Sequence, residues 1–328
     1  MIIIDSPSNN AYFNIASEEY LLNKYPIEEL FILYVNAPSI IVGRFQNTLA
    51  EINLDYVKKN QIKVVRRLSG GGAVYHDLGN LNFSFHSKQV EEDFSDFSTF
   101  TKPVVKLLNQ LDVPAKLEGR NDLLVDGKKF SGNAKLSKNG KIIQHGTILI
   151  NSEMKVLSEA LIINPLKYQD KAVKSVRARV TNLIDYLPSK FDVPQFKSKL
   201  IQHMIDENGP DTIVHKLTEE EIKGIQQLAN DKYSNWDWNF GNSPTYSFNK
   251  AIKVAAGFIE LHMDVKKGVI QKVKIFGDFF ASKPIEEFEE KLMGVKHEEE
   301  SIRPLLISMQ LQDFFGQVSA DELMKLFR

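Results

Sequence analysis

Residues 121–150 read NDLLVDGKKFSGNAKLSKNGKIIQHGTILI, and this stretch decides the fold. Asp126-Gly127 and Asn139-Gly140 separate three β-rich runs, Asp122–Val125, Lys129–Leu136 and Ile142–Ile150. Asp-Gly and Asn-Gly are the strongest short hairpin signals, because such turns need positive φ at both central residues. The stretch reads as a three-stranded antiparallel meander. A two-residue turn at 126–127 pairs Val125 with Lys128, Leu124 with Lys129 and Asp122 with Ser131. Period-2 alternation then puts Lys129, Ser131, Asn133 and Lys135 on one face, together with Asp122. Such a face suits a phosphate or a carboxylate; for the segment alone, a solvated sheet face is the commoner reading. The Asn139-Gly140 register sets His145 opposite Ala134, on the other face from Lys129. Either a bulge near Gly132 re-aims one strand, or the two residues act in different places.

Upstream, residues 66–77 read RRLSGGGAVYHD. Three consecutive glycines are costly in backbone entropy. Their successive N–H groups can form an anion-binding concavity, and Arg66 and Arg67 could add planar cationic donors. The loop lacks G-x-x-x-x-G-K-[ST], which excludes a P-loop. The strand-like run Leu81–Phe85 follows it, whereas a dinucleotide loop opens a helix. For the triplet alone, a tight strand connection with two solvated arginines stays open. Ser69 and His76-Asp77 on its flanks shift the balance toward an anion site.

Further out, Ile2–Ile4, Phe31–Val35, Ile40–Val42 and Ile62–Arg67 read as strands. A helix is expected over Ile15–Leu22 with Glu18 and Glu19 outward, and others over 55–60, 99–111, 194–207 and 218–230. Thr218–Glu221 fits a capping box. Residues 236–247, WDWNFGNSPTYS, break the pattern. We place a boundary there, giving domains 1–245 and 246–328. The second holds strands near 251–263 and 269–276 and helices at 284–293 and 317–327, a small α+β module.

The chain has 328 residues, a net charge of −1 and no cysteine. Near-neutral charge argues against a broadly basic nucleic-acid binder. The absence of cysteine excludes disulfides, thiolate metal sites and a thioester-forming nucleophile. The start, MIIIDSPSNN, lacks the features of a signal peptide, and no run reaches the ~20 apolar residues of a membrane span. The expectation is a cytoplasmic protein without nucleic-acid or membrane partners.

RRLSGGGAVYHDLGNLNFSF, GRNDLLVDGKKFSGNAKL, QHGTILIN and SVRARVTNL resemble signatures of lipoate–protein ligases. FNIASEE at 13–19, GRFQNT at 43–48 and WDWNFG at 236–241 look like further family motifs, in order through most of the chain. The resemblance is to the long form, with a C-terminal accessory domain. It implies an α/β (α+β) catalytic domain like those of biotin–protein ligases and class II synthetases, with mixed β-sheets flanked by helices. It implies two steps: lipoate and Mg-ATP give lipoyl-adenylate, then a carrier lysine takes the lipoyl group. By motif, Arg67 and Gly72, Ala73, Val74 and Tyr75 would hold the adenylate, with Gly70, Gly71 and His76 beside them. Lys129 would contact the acyl carbonyl and the α-phosphate, with Ser131, Gly132, His145 and Thr147 nearby. Arg67 and Lys129 are the implied catalytic pair. Asp122 and Asn121 would meet Mg²⁺, and a loop with Ser175, Val176, Arg177, Arg179 and Asn182 would close over the intermediate.

Implied cofactors are ATP and Mg²⁺, and the substrate is (R)-lipoate or octanoate. Implied partners are the glycine-cleavage H protein, E2 lipoyl domains, or both. Among rivals, an octanoyl or lipoyl transferase of this fold uses a cysteine that this chain lacks, although a ligase working in a relay stays open. A biotin ligase carries a GRGRxG-like loop that is missing here. A non-catalytic relative would have no reason to keep Arg67, the glycine loop, Lys129 and Asp122.

Overall fold

The strands in chain order are β1 (Ile2–Asp5), β2 (Leu30–Val35), β3 (Ser39–Val42), β4 (Lys63–Arg66), β5 (Val74–His76), β6 (Asn80–Lys88), β7 (Ala115–Glu118), β8 (Asp122–Val125), β9 (Lys128–Lys138), β10 (Lys141–Leu149), β11 (Ile213–His215), β12 (Phe248–Val254), β13 (Gly257–Lys266) and β14 (Val269–Gly277). The structure, a computed structural model, describes all residues except 26–27, 47, 89–95, 120, 139, 163–179, 189–190, 241–247, 267–268, 298 and 328.

Eight strands form one mixed sheet in the order β11-β1-β2-β6-β10-β9-β8-β7. The run LFILYV of β2 is apolar without alternation because both faces of this sheet are covered. Phe31 and Leu33 pack with Phe83 and Phe85 against helices Ser98–Gln110 and Val193–Asn208. Ile32 and Tyr34 face the other way, against helix α1 (Ala11–Lys24) and against Ile41 and Val65 of a small β4-β3-β5 sheet. The Asn139-Gly140 hairpin has the expected register, with His145 opposite Ala134.

Helix α1 corrects one expectation. Glu18 and Glu19 are buried, not outward. The helix is covered on one side by the large sheet and on the other by helix Glu219–Leu228, so it has no open face at these positions. Glu19 meets Lys138, Lys232 and the Tyr233 hydroxyl. Glu18 meets His145 and the Tyr34 hydroxyl.

The C-terminal module is the antiparallel sheet β12-β13-β14 with helices Ile285–Leu292, Glu299–Ser308 and Ala320–Met324. Its core takes in Phe45 from the large domain. Phe45 stacks on Phe279 with ring centroids 5.0 Å apart. Arg44 pairs with Glu286 at 3.0 Å. The Gly71 N–H donates to the Phe279 carbonyl. The small module is therefore seated on the glycine loop.

Candidate active site

The site begins with one extra residue. In the β8–β9 ladder Val125 faces Lys128 and Leu124 faces Lys129, as the turn dictates; Leu123 then faces Ser131 and Asp122 faces Gly132. Phe130 is the inserted residue, driven into the core at 0% exposure. The expected Asp122–Ser131 pair is thereby corrected to Asp122–Gly132. The bulge turns the Lys129 side chain over Gly132, where a Cβ would lie 2.9 Å from Nζ. Lys129 thus reaches the face that carries Ala134 and His145. Ser131 lies behind that face, buried opposite Leu123.

That face forms one wall of a cavity of about 320 Å³, lined on this side by Asn121, Asp122, Lys129, Gly132, His145 and Thr147. Lys129 Nζ is 2.8 Å from Asp122 Oδ1, both side chains being about one-third exposed. Thr147 Oγ1 accepts from the Gly132 N–H. The same cavity is lined by Gly71, Gly72, Ala73, Val74 and His76, and by the buried Ile41 and Tyr34. Gly71 sits at φ +91°, in the left-handed region that only glycine enters freely. Gly70 and Tyr75 stand behind the wall: Gly70 backs onto the Phe279 carbonyl, and Tyr75 belongs to the apolar cluster beneath β3.

Neither arginine is solvated; Arg66 is 0% and Arg67 5% exposed. Arg67 donates from Nε to Ser69 Oγ, from Nη1 to the Ile41 carbonyl and from Nη2 to the Gly70 and Gly72 carbonyls. Three of its five N–H donors thus brace the glycine loop, and a fourth ties it to β3. Burial pulls its pKa down to about 10, against the charges of Tyr34, Glu18 and Asp278, so it stays cationic at neutral pH. Arg66 lies outside the cavity. It donates to the carbonyls of Gly43, Arg44, Gln46, Trp238 and Asn239 and to Thr48 Oγ1. The motifs at 43–48 and 236–241 are therefore two strips of chain tied by one guanidinium. Burial, with repulsion from Arg44 and Arg67, pulls Arg66 down to about 9.

At the inner end, His145 Nδ1 is 2.7 Å from Glu18 Oε2 and its Nε2 2.6 Å from Ser69 Oγ. Glu18 Oε1 accepts from the Tyr34 hydroxyl. Burial alone would raise the Glu18 carboxyl, but the charge and hydrogen bond of His145, then His86 and Tyr34, bring it below its ordinary value. This chain ties the slot's end to Arg67 through Ser69.

Several residues at or behind the cavity escaped the sequence reading. Glu18, buried behind the lining residue His145, was expected to face solvent. Asn82 and Asp278 line the cavity without having been expected there. Asp278 comes from the C-terminal module, and nothing local in the sequence announces that it returns to residue 72. Of the expected closing loop, Ser175, Val176, Arg177 and Arg179 lie outside the described residues. Asn182 is described: it anchors the loop's end by exchanging two hydrogen bonds with the Ser152 backbone. Thr181 N–H donates to the Lys129 carbonyl, so this segment borders the site.

Residues 10–205 match the family model of the lipoyl protein ligase A/B catalytic domain, and residues 243–327 that of the bacterial lipoate protein ligase C-terminus. The chain is 43% identical over 329 residues to lipoate-protein ligase LplJ of Bacillus subtilis, covering 99% of both chains. Among solved structures, P. falciparum LipL1 in complex with lipoate superposes with a TM-score of 0.80 at 28% identity, covering 94% of both chains. A lipoate-protein ligase A bound with ATP gives 0.60 at 29% identity, covering 73% of this chain and 98% of the other. The bipartite ligase of Thermoplasma acidophilum, studied with its E2 lipoyl domain, gives 0.64 at 31% identity, covering 75% and 98%. Two family models in series and full-length identity of this degree place the chain in the lipoate–protein ligase family.

Proposed function

We propose that this chain activates lipoate with ATP to lipoyl-adenylate and passes the lipoyl group to a lysine of a carrier protein. One observation carries the reading: with the bulge at Phe130, Lys129 lines one cavity together with the largely apolar Ile15, Tyr34 and Ile41 and with Gly71 and Gly72 of the glycine loop. An acyl chain ending in a carboxylate, next to a nucleotide phosphate, fits that set of surfaces.

In the first step a carboxylate oxygen attacks the α-phosphorus and pyrophosphate leaves. Lys129 stabilises charge on the α-phosphate and acyl oxygens, and loop N–H groups orient the phosphate. Arg67 acts through the loop it braces. In the second step a carrier lysine amine attacks the acyl carbon and AMP leaves as the amide forms. Both nucleophiles come from substrates, which agrees with a chain without cysteine. A hard divalent cation fits Asp122, with Asn121 beside it: Mg²⁺ is commonly held by one or two carboxylates plus phosphate oxygens. When bound, it would offset phosphate charge. The loop 175–182 covers the intermediate in this reading, since an acyl-adenylate must be kept from water.

For the carrier we favour an E2 lipoyl domain, because the Thermoplasma ligase is described with one; H protein is the alternative. An ATP-consuming reaction fits the cytoplasm, and among the described residues no helix is long and apolar enough to cross a membrane. The test is pyrophosphate release with lipoate, ATP and Mg²⁺, followed by mass spectrometry of apo-carriers, with octanoate in parallel. No pyrophosphate with or without a carrier would overturn the reading.

A further inference from the structure

His76 lines the cavity at 3% exposure, and among the described residues its Nε2 has no hydrogen-bond partner. A buried orphan polar atom calls for an explanation. The other ring nitrogen supplies it. Nδ1 is 3.0 Å from Asn36 Nδ2.

The orientation of that amide follows from its neighbours. Asn14 Nδ2 approaches the Ser8 carbonyl at 2.8 Å and the Val35 carbonyl at 3.3 Å, and carbonyls only accept. The NH2 of Asn14 must therefore be on that side, and its Oδ1 accepts from the Ser6 hydroxyl. The same NH2 lies 2.8 Å from Asn36 Oδ1. The Asn36 NH2 is then turned to His76, and Nδ1 has to accept. In a neutral ring the proton is left on Nε2.

We propose that Asn14 and Asn36 are positioning residues that fix His76 as its Nε2–H tautomer, so that it presents a hydrogen-bond donor to an acceptor oxygen of the bound substrate. The inference rests on the function proposed above and deepens it. The charged or titratable groups acting on His76 are Arg67, His145 and Glu18. Burial comes first, then repulsion from Arg67 and His145, with Glu18 opposing, and together they pull the ring down to about 3. It remains neutral at working pH. Lys129 supplies charge; His76 supplies direction. The acceptor is either the carboxyl head of the acyl substrate or the nucleotide phosphate, both of which offer an oxygen to an N–H.

The test is ¹⁵N NMR of the full-length protein carrying ¹⁵N-histidine, with the His76 signals assigned by their loss in His76→Gln. The expected result is a protonated Nε2 and an unprotonated Nδ1 in the unliganded protein. The Nε2–H signal should then shift with lipoate alone, which assigns the carboxyl head, or with an ATP analogue alone, which assigns the phosphate. A proton on Nδ1, or no shift with either ligand, overturns the proposal. Asn36→Asp gives a second reading: a carboxylate only accepts, so the proton should move to Nδ1. The KM of that substrate should then rise about tenfold with a smaller change in kcat. An unchanged KM with a moved proton would also overturn the inference. Wild-type protein that shows the tautomer but activates no lipoate would instead count against the proposed function.

Discussion

Lys129 and its neighbour Lys128 make a paired experiment. Lys128 is exposed at the turn, whereas Lys129 pairs with Asp122 in the cavity. Lys129→Met should lower adenylate formation by ~10²–10³ while the fold persists, the usual loss for one donor to developing charge. Lys129→Arg should fail as well, since a planar fork does not replace a compact ammonium. Lys128→Met should leave the rate unchanged. Equal losses at both positions, measured by pyrophosphate release, would remove Lys129 from the reaction centre.

A second residue-scale prediction concerns acid. Burial lowers His76 to about 3 and His86 to about 4, from an ordinary 6.5. Between those values the unfolded chain binds more protons than the folded one. Their stabilising contribution is therefore complete above about pH 6.5 and declines as pH falls toward 4, by at most ~1.4 kcal/mol per pH unit for each ring. Glu18, held below its ordinary value, acts with the same sign at lower pH. Urea midpoints between pH 7 and 5 should fall accordingly, and His86→Gln should make the decline shallower. A flat profile would show that these rings take up protons within the folded state.

At the scale of elements, the hairpin turns were legible, while a bulge near Gly132 was one of two alternatives that the sequence left open. Asp126, Gly127 and Gly140 all have positive φ, as such turns require, and the registers beside both turns are as read. The bulge is set by Phe130 entering a core built from β2, β6 and two helices, which no period-2 pattern contains. Lys129 was therefore named by type and motif, while its face relative to His145 could be decided only by the core that receives Phe130. Glu18 was misplaced for a related reason: a helical wheel does not show that a second helix covers the outer side. Gly132→Ala tests the β9 geometry. Its Cβ would meet Lys129 Nζ and Cε, the far end of a flexible chain. The fold should lose no more than ~1 kcal/mol, and adenylation should fall at least tenfold as the ammonium is displaced. Unchanged activity would mean that Lys129 works from another position.

For the whole molecule, the residues after Phe248 share a core of their own that takes in Phe45, and the seam this makes with the rest is apolar. Phe279 is 0% exposed and stacks on Phe45, and Phe280 meets Phe97 with centroids 5.2 Å apart. Phe279→Ala should cost ~3–5 kcal/mol, as large-to-small aromatic changes in cores do. Because the lost contacts span the seam, calorimetry should show one transition in the parent chain and two in the variant. A single transition at lower temperature would mean that the modules unfold together without this contact.

The cavity wall supplied by Asp278 has a consequence in time. Synthesis runs from the N-terminus, and β1 must wait for β11, residues 213–215, before its outer edge is paired. Asp278 and the Phe279 carbonyl that receives the Gly71 N–H emerge later still. A ribosome-bound chain that already carries Lys129 and the glycine loop thus holds an open cleft, without its last wall. An activated acyl group formed there would meet water and the amines of every nearby nascent chain. The order of the sequence delays closure of this cavity until Asp278 has been made.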